Sequence, residues 1–215
     1  METTRASVRS CGDDGVEAGR GPGQLGWYDF AGRFVRGQSV LDVGCGLGDG
    51  LRRLRAAAAT AHGQDLDPRL AGPDVRIGPI NQVADKDYDV VVSIDVVEHV
   101  ADPHEFVAHL ARIARVGFFL TTPNWTASRC QWPYHLREFT PREFEQLLEP
   151  LGTVTLYKGT PNGCVVHPVR HPAAYHAFNA LRTLWATAPA AGCVNRLLPA
   201  PYKIHSHNAA WVRLA

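Results

Sequence analysis

The run Val40–Leu51, VLDVGCGLGDGL, constrains this chain more than any other stretch. An apolar segment ends at the acid Asp42 and Val43 and passes into a loop with glycine at Gly44, Gly46 and Gly48. Residues without a Cβ let the backbone turn through positive φ and let a ligand approach the main chain closely. In open α/β sheets, ligands bind at the carboxyl edge of the strands, where the chain makes such turns. The run therefore predicts a buried strand delivering Asp42 to a ligand-gripping loop.

On both sides of the loop the pattern fits a parallel sheet. Apolar segments rich in β-branched residues (Ser39–Val43, Ala59–Asp65, Val75–Gly78, Tyr88–Ile94 and Val116–Thr121) alternate with helical stretches at Gly48–Ala58 and Pro103–Arg115. Alternation of this kind gives strands joined by crossover helices, a doubly wound three-layer sandwich. Tyr88–Ile94 lacks in/out alternation, as strands buried on both faces do. Thr140-Pro141-Arg142-Glu143 reads as a helix start with a capping box, and Gly152–Lys158 and Ala209–Leu214 as later strands. Residues 159–208 carry six prolines and no strand pattern, so they are expected to form an inserted cap over the substrate. Within it, His171–Ala188 places Tyr175, Phe178, Leu181, Leu184, Trp185 and Ala188 near one helical stripe. Residues 1–23 lack periodicity and are expected to be a disordered arm, leaving 24–215 as one domain.

Composition narrows the class of protein. With 45% hydrophobic and 20% charged residues the chain is ordinary for a soluble globular domain. Its apolar runs fall far short of the roughly 18 residues needed to span a bilayer. The five cysteines never form a CxxC pair, which argues against a disulfide framework or zinc ribbon. With no apolar leader at the N-terminus, a cytoplasmic location is expected. The net charge of +1 conceals a split: all 21 acids lie at or before Glu149, whereas Lys158, Arg170, Arg182, Arg196, Lys203 and Arg213 come after it with none. The C-terminal part is thus suited to something anionic, a phosphorylated or otherwise charged acceptor or a membrane surface, or else its cations are merely solvated.

The acids around the loop discriminate between ligands. A dinucleotide needs a free helix N-terminus for its pyrophosphate, but Asp49 stands there and would repel phosphate. Asp42 suits a cationic ligand, and Asp65, ending the second strand, is placed to accept ribose hydroxyls. Taken in order, VLDVGCGLGDGL, HGQDLDP and YDVVVSIDVVEHV resemble the successive motifs of the class I S-adenosylmethionine-dependent methyltransferases. The resemblance spans about residues 40–156. It implies a Rossmann-like fold with a mostly parallel seven-stranded sheet and an antiparallel C-terminal strand. It also implies S-adenosylmethionine as cofactor, held by Asp42, Gly44, Cys45, Gly46 and Gly48, with Asp65 and Leu66 at the ribose. Ile80 and Asn81 would lie near the adenine, where the sequence departs from the common Gly-Asp pattern, and Ser93 and Ile94 would border the cofactor.

Two further segments bear on the methyl acceptor. EHV (Glu98–Val100), TPN (Thr122–Asn124) and HLREFT (His135–Thr140) resemble the branch containing ubiquinone-type, glycan and natural-product O-methyltransferases. By that resemblance His99 and His135 are the candidate catalytic residues, with Glu98, Asn124 and Arg137 contacting an acceptor that is a small molecule or glycan. His99 reads equally well as a core histidine bonded to Glu98 or to backbone. Small-RNA 2′-O-methyltransferases carry a similar run that gathers a divalent ion, so Asp95, Glu98, His99 and His135 form an alternative metal set; no metal is the expectation. A near-neutral chain does not point to nucleic acid. A nicotinamide-dependent or noncatalytic nucleotide-binding protein is the remaining alternative. His167 and His171 do not make a metal pair, since Pro168 and Pro172 break the helix that would align them.

Overall fold

A computed structural model of the chain describes residues 24–130, 132–184, 190–199 and 202–215. The expected arm, 1–23, and Trp185 and Ala188 of the cap stripe lie outside the described residues. The chain begins with α1 (Leu25–Ala31), β1 (Ser39–Val43), α2 (Asp49–Leu54), β2 (Thr60–Asp65), β3 (Val75–Ile77) and β4 (Tyr88–Ile94). It continues through α3 (Pro103–Ile113), β5 (Ala114–Pro123), the short α4 (Trp125–Ser128), α5 (Pro141–Leu148) and β6 (Thr153–Gly159). β7 (Val166–Pro168), α6 (Pro172–Leu184), α7 (Ala190–Leu197) and β8 (His207–Arg213) complete it.

The strands form one sheet in the order β3-β2-β1-β4-β5-β8-β6-β7. β1 to β5 pair in parallel, while β8 runs antiparallel to both β5 and β6. Both sheet faces are covered, as the uninterrupted apolar character of β4 requires. Val90, Val92 and Ile94 point into a core shared with Trp27, Tyr28 and Ala31 of α1 and Leu51 and Leu54 of α2. Val91 points the opposite way, toward Phe106, Leu110 and Ile113 of α3 and Phe144, Leu147 and Leu148 of α5. Burying a side chain of this size contributes roughly 1.5–3 kcal/mol. One strand so locks two helix layers together.

Among the described residues the sheet has eight strands, one more than expected. The additional strand, β7, falls inside the segment that shows no strand pattern, and pairs antiparallel with β6 through Tyr157↔Pro168, Lys158↔His167 and Gly159↔Val166. It is three residues long, ends in a proline that cannot donate, and sits on the sheet edge, where proline is tolerated. Its existence depends on the partner strand beside it, which no local pattern reveals.

At α5 the local chemistry is as read: the Thr140 hydroxyl accepts from the Glu143 amide, and the Glu143 carboxylate accepts from the Thr140 amide at 2.9 Å. Two capping interactions fix the direction of the segment that arrives from His135. α6 packs on α4 and α5, where His176 and Glu145 meet at 2.6 Å.

Candidate active site

At the carboxyl end of β1 the turn is built from left-handed glycines, Gly44 (φ 76°), Gly46 (φ 55°) and Gly48 (φ 76°). A Cβ on Gly44 would lie 2.4 Å from Val96, so only glycine brings this loop against the segment after β4. Among the described residues nothing lies within 4 Å of where a Cβ on Gly46 would be, which leaves the main chain open to them on that side. The Gly46 amide donates to Asp65 Oδ2 at 3.0 Å, and the amides of Leu66 and Asp67 donate to Asp65 Oδ1 at 2.7 and 3.2 Å. Asp65 thus clamps the glycine loop to the end of β2 through both of its oxygens, and a carboxylate has lone pairs enough to accept further donors beside these. Capping of the turn at Pro68–Leu70 falls to Asp67, which accepts from the Arg69 amide. Asp67 is held below the usual carboxylate range, chiefly by the Arg69 side chain.

Asp42 is fully buried and accepts a hydrogen bond from the Tyr28 hydroxyl at 3.3 Å. Tyr28 comes from α1, and its ring sits against Gly50, where a Cβ would be 2.1 Å from Cζ. Cys45 is buried against Gly63, whose Cβ would lie 2.5 Å from Sγ. The Ser93 hydroxyl donates to the Val43 carbonyl at 3.1 Å and ties β4 to β1 at the edge, whereas Ile94 is core. Leu47 and Leu66 are exposed beside the loop, Ile80 is partly buried and Asn81 exposed. A buried carboxylate, a second carboxylate at the strand end, open glycine backbone and flanking apolar side chains suit a ligand with a cationic amino-acid end and an adenosine end. Asp49, as read, stands at the first helical position of α2 and pairs with Arg52.

Beyond β4 and β5 lies a second polar group. His99 and His135 rings meet edge to face with centroids 4.8 Å apart. His99 Nδ1 lies 3.0 Å from the Tyr134 carbonyl and His135 Nδ1 lies 2.6 Å from Glu138 Oε1. A carbonyl or an ionised carboxylate only accepts, so both Nδ1 atoms carry hydrogen and Nε2 is the basic nitrogen of each ring. Burial pushes the Glu138 carboxyl up, but His135, the Ser128 hydroxyl and the Cys130 amide together hold it below its ordinary range. It is an ionised, buried carboxylate that orients an imidazole. Glu98 behaves oppositely: burial, then the neighbouring Asp95 charge, push it well above the usual carboxylate range. The Thr122 hydroxyl beside it offsets only part of that rise. Ligand atoms of Glu98, His99 and His135 lie within 4.8 Å of one another.

Asp95 does not join that cluster. Held at φ 52°, it turns toward α1 and β8, accepting from Thr121 (2.6 Å) and Gln24 (3.0 Å) and lying 3.5 Å from His207 Nε2. Asn124 is fully buried and spends its side chain within the protein: Oδ1 caps α4 at Thr126, and Nδ2 donates to Asn179 and the His205 carbonyl. Arg137 is exposed, bonded to Glu143 and stacked over Phe139. Sequence pattern alone did not single out Tyr28 or Glu138. Glu138 had a usable signature, an acid three residues after a candidate base; Tyr28 had none.

A family profile described as a methyltransferase domain matches residues 26–156. The chain belongs to this methyltransferase family. A Mycolicibacterium smegmatis protein named "Probable S-adenosylmethionine-dependent methyltransferase" is 33% identical over 133 residues, 54% of this chain and 52% of that protein. The "Ubiquinone biosynthesis O-methyltransferase" of Bordetella bronchiseptica is 35% identical over 118 residues, 46% of this chain and 49% of that protein. The chain thus spans about half the length of the curated relatives it matches. A SAM-dependent methyltransferase from Thermotoga maritima shares the fold with TM-score 0.58 at 12% identity, covering 90% of both chains. The plantazolicin methyltransferase in complex with SAH (S-adenosylhomocysteine) does so with TM-score 0.58 at 17% identity, covering 99% of this chain and 95% of that one. S-adenosylmethionine is the cofactor of this methyltransferase domain. No helix among the described residues is long and apolar enough to cross a membrane.

Proposed function

We propose that the chain transfers a methyl group to a hydroxyl of a small molecule or glycan that carries negative charge, bound beneath the cap of residues 159–208. The observation that carries this is the His135–Glu138 pair. The cofactor supplies an electrophilic methyl group; the protein has to align the acceptor oxygen and take up its proton. Nε2 of His135 is the acceptor for that proton, because the buried Glu138 carboxylate fixes the tautomer and steadies the imidazolium that forms. His99, edge-on to His135 and anchored on the Tyr134 carbonyl, positions it. Relatives named as ubiquinone O-methyltransferases support oxygen as the target. Methyl transfer from labelled cofactor to a panel of hydroxylated acids, phenols and glycans tests the reading. Turnover by wild type and its loss in His135→Ala are expected; transfer only to amines, or full turnover without His135, refutes it.

A second reading is metal assistance, favoured by the buried Glu98 carboxyl, whose ligand atom lies within 4.8 Å of those of His99 and His135. The mixed oxygen and imidazole set suits a divalent ion that would polarise the acceptor hydroxyl, whether of a small molecule or of an RNA ribose. Metal content of the purified protein, and activity before and after chelation, decide it. Unchanged turnover in metal-free protein removes this reading.

A further inference from the structure

Next to the acceptor side lies a cationic group that the methyl-transfer chemistry does not use. Arg129 ends α4 in a left-handed conformation (φ 60°), with its guanidinium 4.4 Å over the Trp125 ring. From there Nη2 reaches the Arg182 carbonyl on α6 at 3.3 Å. Arg182 is itself partly buried, and neither arginine has a carboxylate within 4.0 Å among the described residues. On the same helix Tyr175 is 3% exposed, and its hydroxyl lies near the Asn179 side chain and the Arg182 charge. The Lys158 ammonium, which donates to the Lys203 carbonyl at 2.7 Å, lies 5.0 Å from the centre of the Tyr175 ring.

Such an arrangement is costly by itself. Two guanidinium groups brought together with no counter-charge repel, and a partly buried cation without a partner forfeits hydration. Burial and the Arg129 charge accordingly hold Arg182 below its ordinary pKa. The donors match one kind of ligand. Guanidinium forks bind carboxylate and phosphate oxygens in pairs, and the phenol beside them offers one more donor. Neutral ligands would leave the repulsion in place.

The position relates the group to the acceptor. Cys130, the residue after Arg129, donates its amide to Glu138 at 2.9 Å, and Glu138 is the carboxylate that holds His135. α4 thus presents Arg129 at one end of the same short segment whose other side orients the base. We propose that Arg129, Arg182 and Tyr175 form a subsite for an oxyanion, carboxylate or phosphate, borne by the methyl acceptor. The assignment rests on the methyltransferase reading of the neighbouring site for its use, while the subsite itself is measurable without turnover.

Calorimetric titration of the full chain with inorganic phosphate and, separately, with benzoate tests it, with SAH titrated into the same preparations. Saturable binding of one or both anions to wild type is expected, weakened at least tenfold in Arg182→Gln and in Arg129→Gln and several-fold in Tyr175→Phe. SAH affinity should stay within twofold throughout. Phosphate binding alone assigns a phosphorylated acceptor; benzoate binding alone assigns a carboxylic acid. Absence of saturable binding to wild type, or wild-type binding in both arginine variants, overturns the proposal. Should Arg182→Gln fail to fold, Arg129→Gln, at the end of a short helix, decides by itself. Failure of SAH to bind wild type would instead sink the methyltransferase reading and leave the anion result standing.

Discussion

Gly50→Ala is a single methyl group placed where the structure has no room for it. The added Cβ would lie 2.1, 2.2 and 2.6 Å from three ring atoms of Tyr28, which is itself fully buried. Ring atoms cannot yield as a flexible chain end does, so Tyr28 must move as a unit. Overpacking of this kind costs about 1–3 kcal/mol. Moving the ring also draws the hydroxyl away from Asp42, now 3.3 Å distant, and a hydrogen bond to a charged group is worth about 1.5–3 kcal/mol. Stability should therefore fall by at least about 1–3 kcal/mol, the overpacking cost alone, read by urea denaturation with an unchanged slope. SAH affinity should fall roughly tenfold, the equivalent of about 1.4 kcal/mol, because Asp42 loses its fixed orientation. A cycle with Tyr28→Leu separates the causes: with the ring gone, Gly50→Ala should cost close to nothing. Wild-type stability and SAH affinity in Gly50→Ala would refute the contact, and an undiminished cost in the Tyr28→Leu background would refute the mechanism.

Three other perturbations have defined outcomes. Asp65→Asn should weaken SAH binding by about ten- to a hundredfold, since charge-assisted bonds are worth about 1.5–3 kcal/mol, and should lower the denaturation midpoint, because the NH2 side of asparagine cannot accept the amides that Asp65 holds; calorimetry and urea denaturation at constant pH read the two, and undiminished SAH affinity would remove Asp65 from the cofactor site. Glu138→Gln should lower turnover about a hundredfold, the lower end of what a positioned base contributes, with SAH affinity intact; an unshifted pH–rate profile would show that Glu138 only fills space. Burial, then the Lys158 charge, depress His205 from 6.5 to about 4. The unfolded chain therefore binds more protons in that window, and stability is lost as pH falls from 6.5 toward 4, by at most about 1.4 kcal/mol per unit. His205→Gln should flatten that limb of the stability–pH curve, and a slope equal to wild type would exclude His205 as its source.

Much of this molecule is written in local pattern. The glycine loop, the acids Asp42, Asp49 and Asp65, the apolar β4 and the Thr140 capping box act over a few residues, so neighbours in sequence are neighbours in space. These determined the α/β class, the cofactor and the edge of the sheet proposed here for the chemistry. His99 and His135 were also legible, but only as candidates, since a histidine in a motif does not disclose what its other nitrogen touches.

The tertiary structure decided the rest, because it depends on separations no local pattern spans. Whether Asp95 joins Glu98, His99 and His135 turned on a left-handed backbone at the end of β4, which points its carboxylate toward His207 on the last strand. β7 exists because β6 lies beside it. Tyr28 reaches Asp42 only because Gly50 makes room. The absence of acids after Glu149 was visible in composition, yet it became a pair of arginines near a buried phenol only when α6 folded back onto α4. Sequence set which charges the chain carries; packing set which of them face one another.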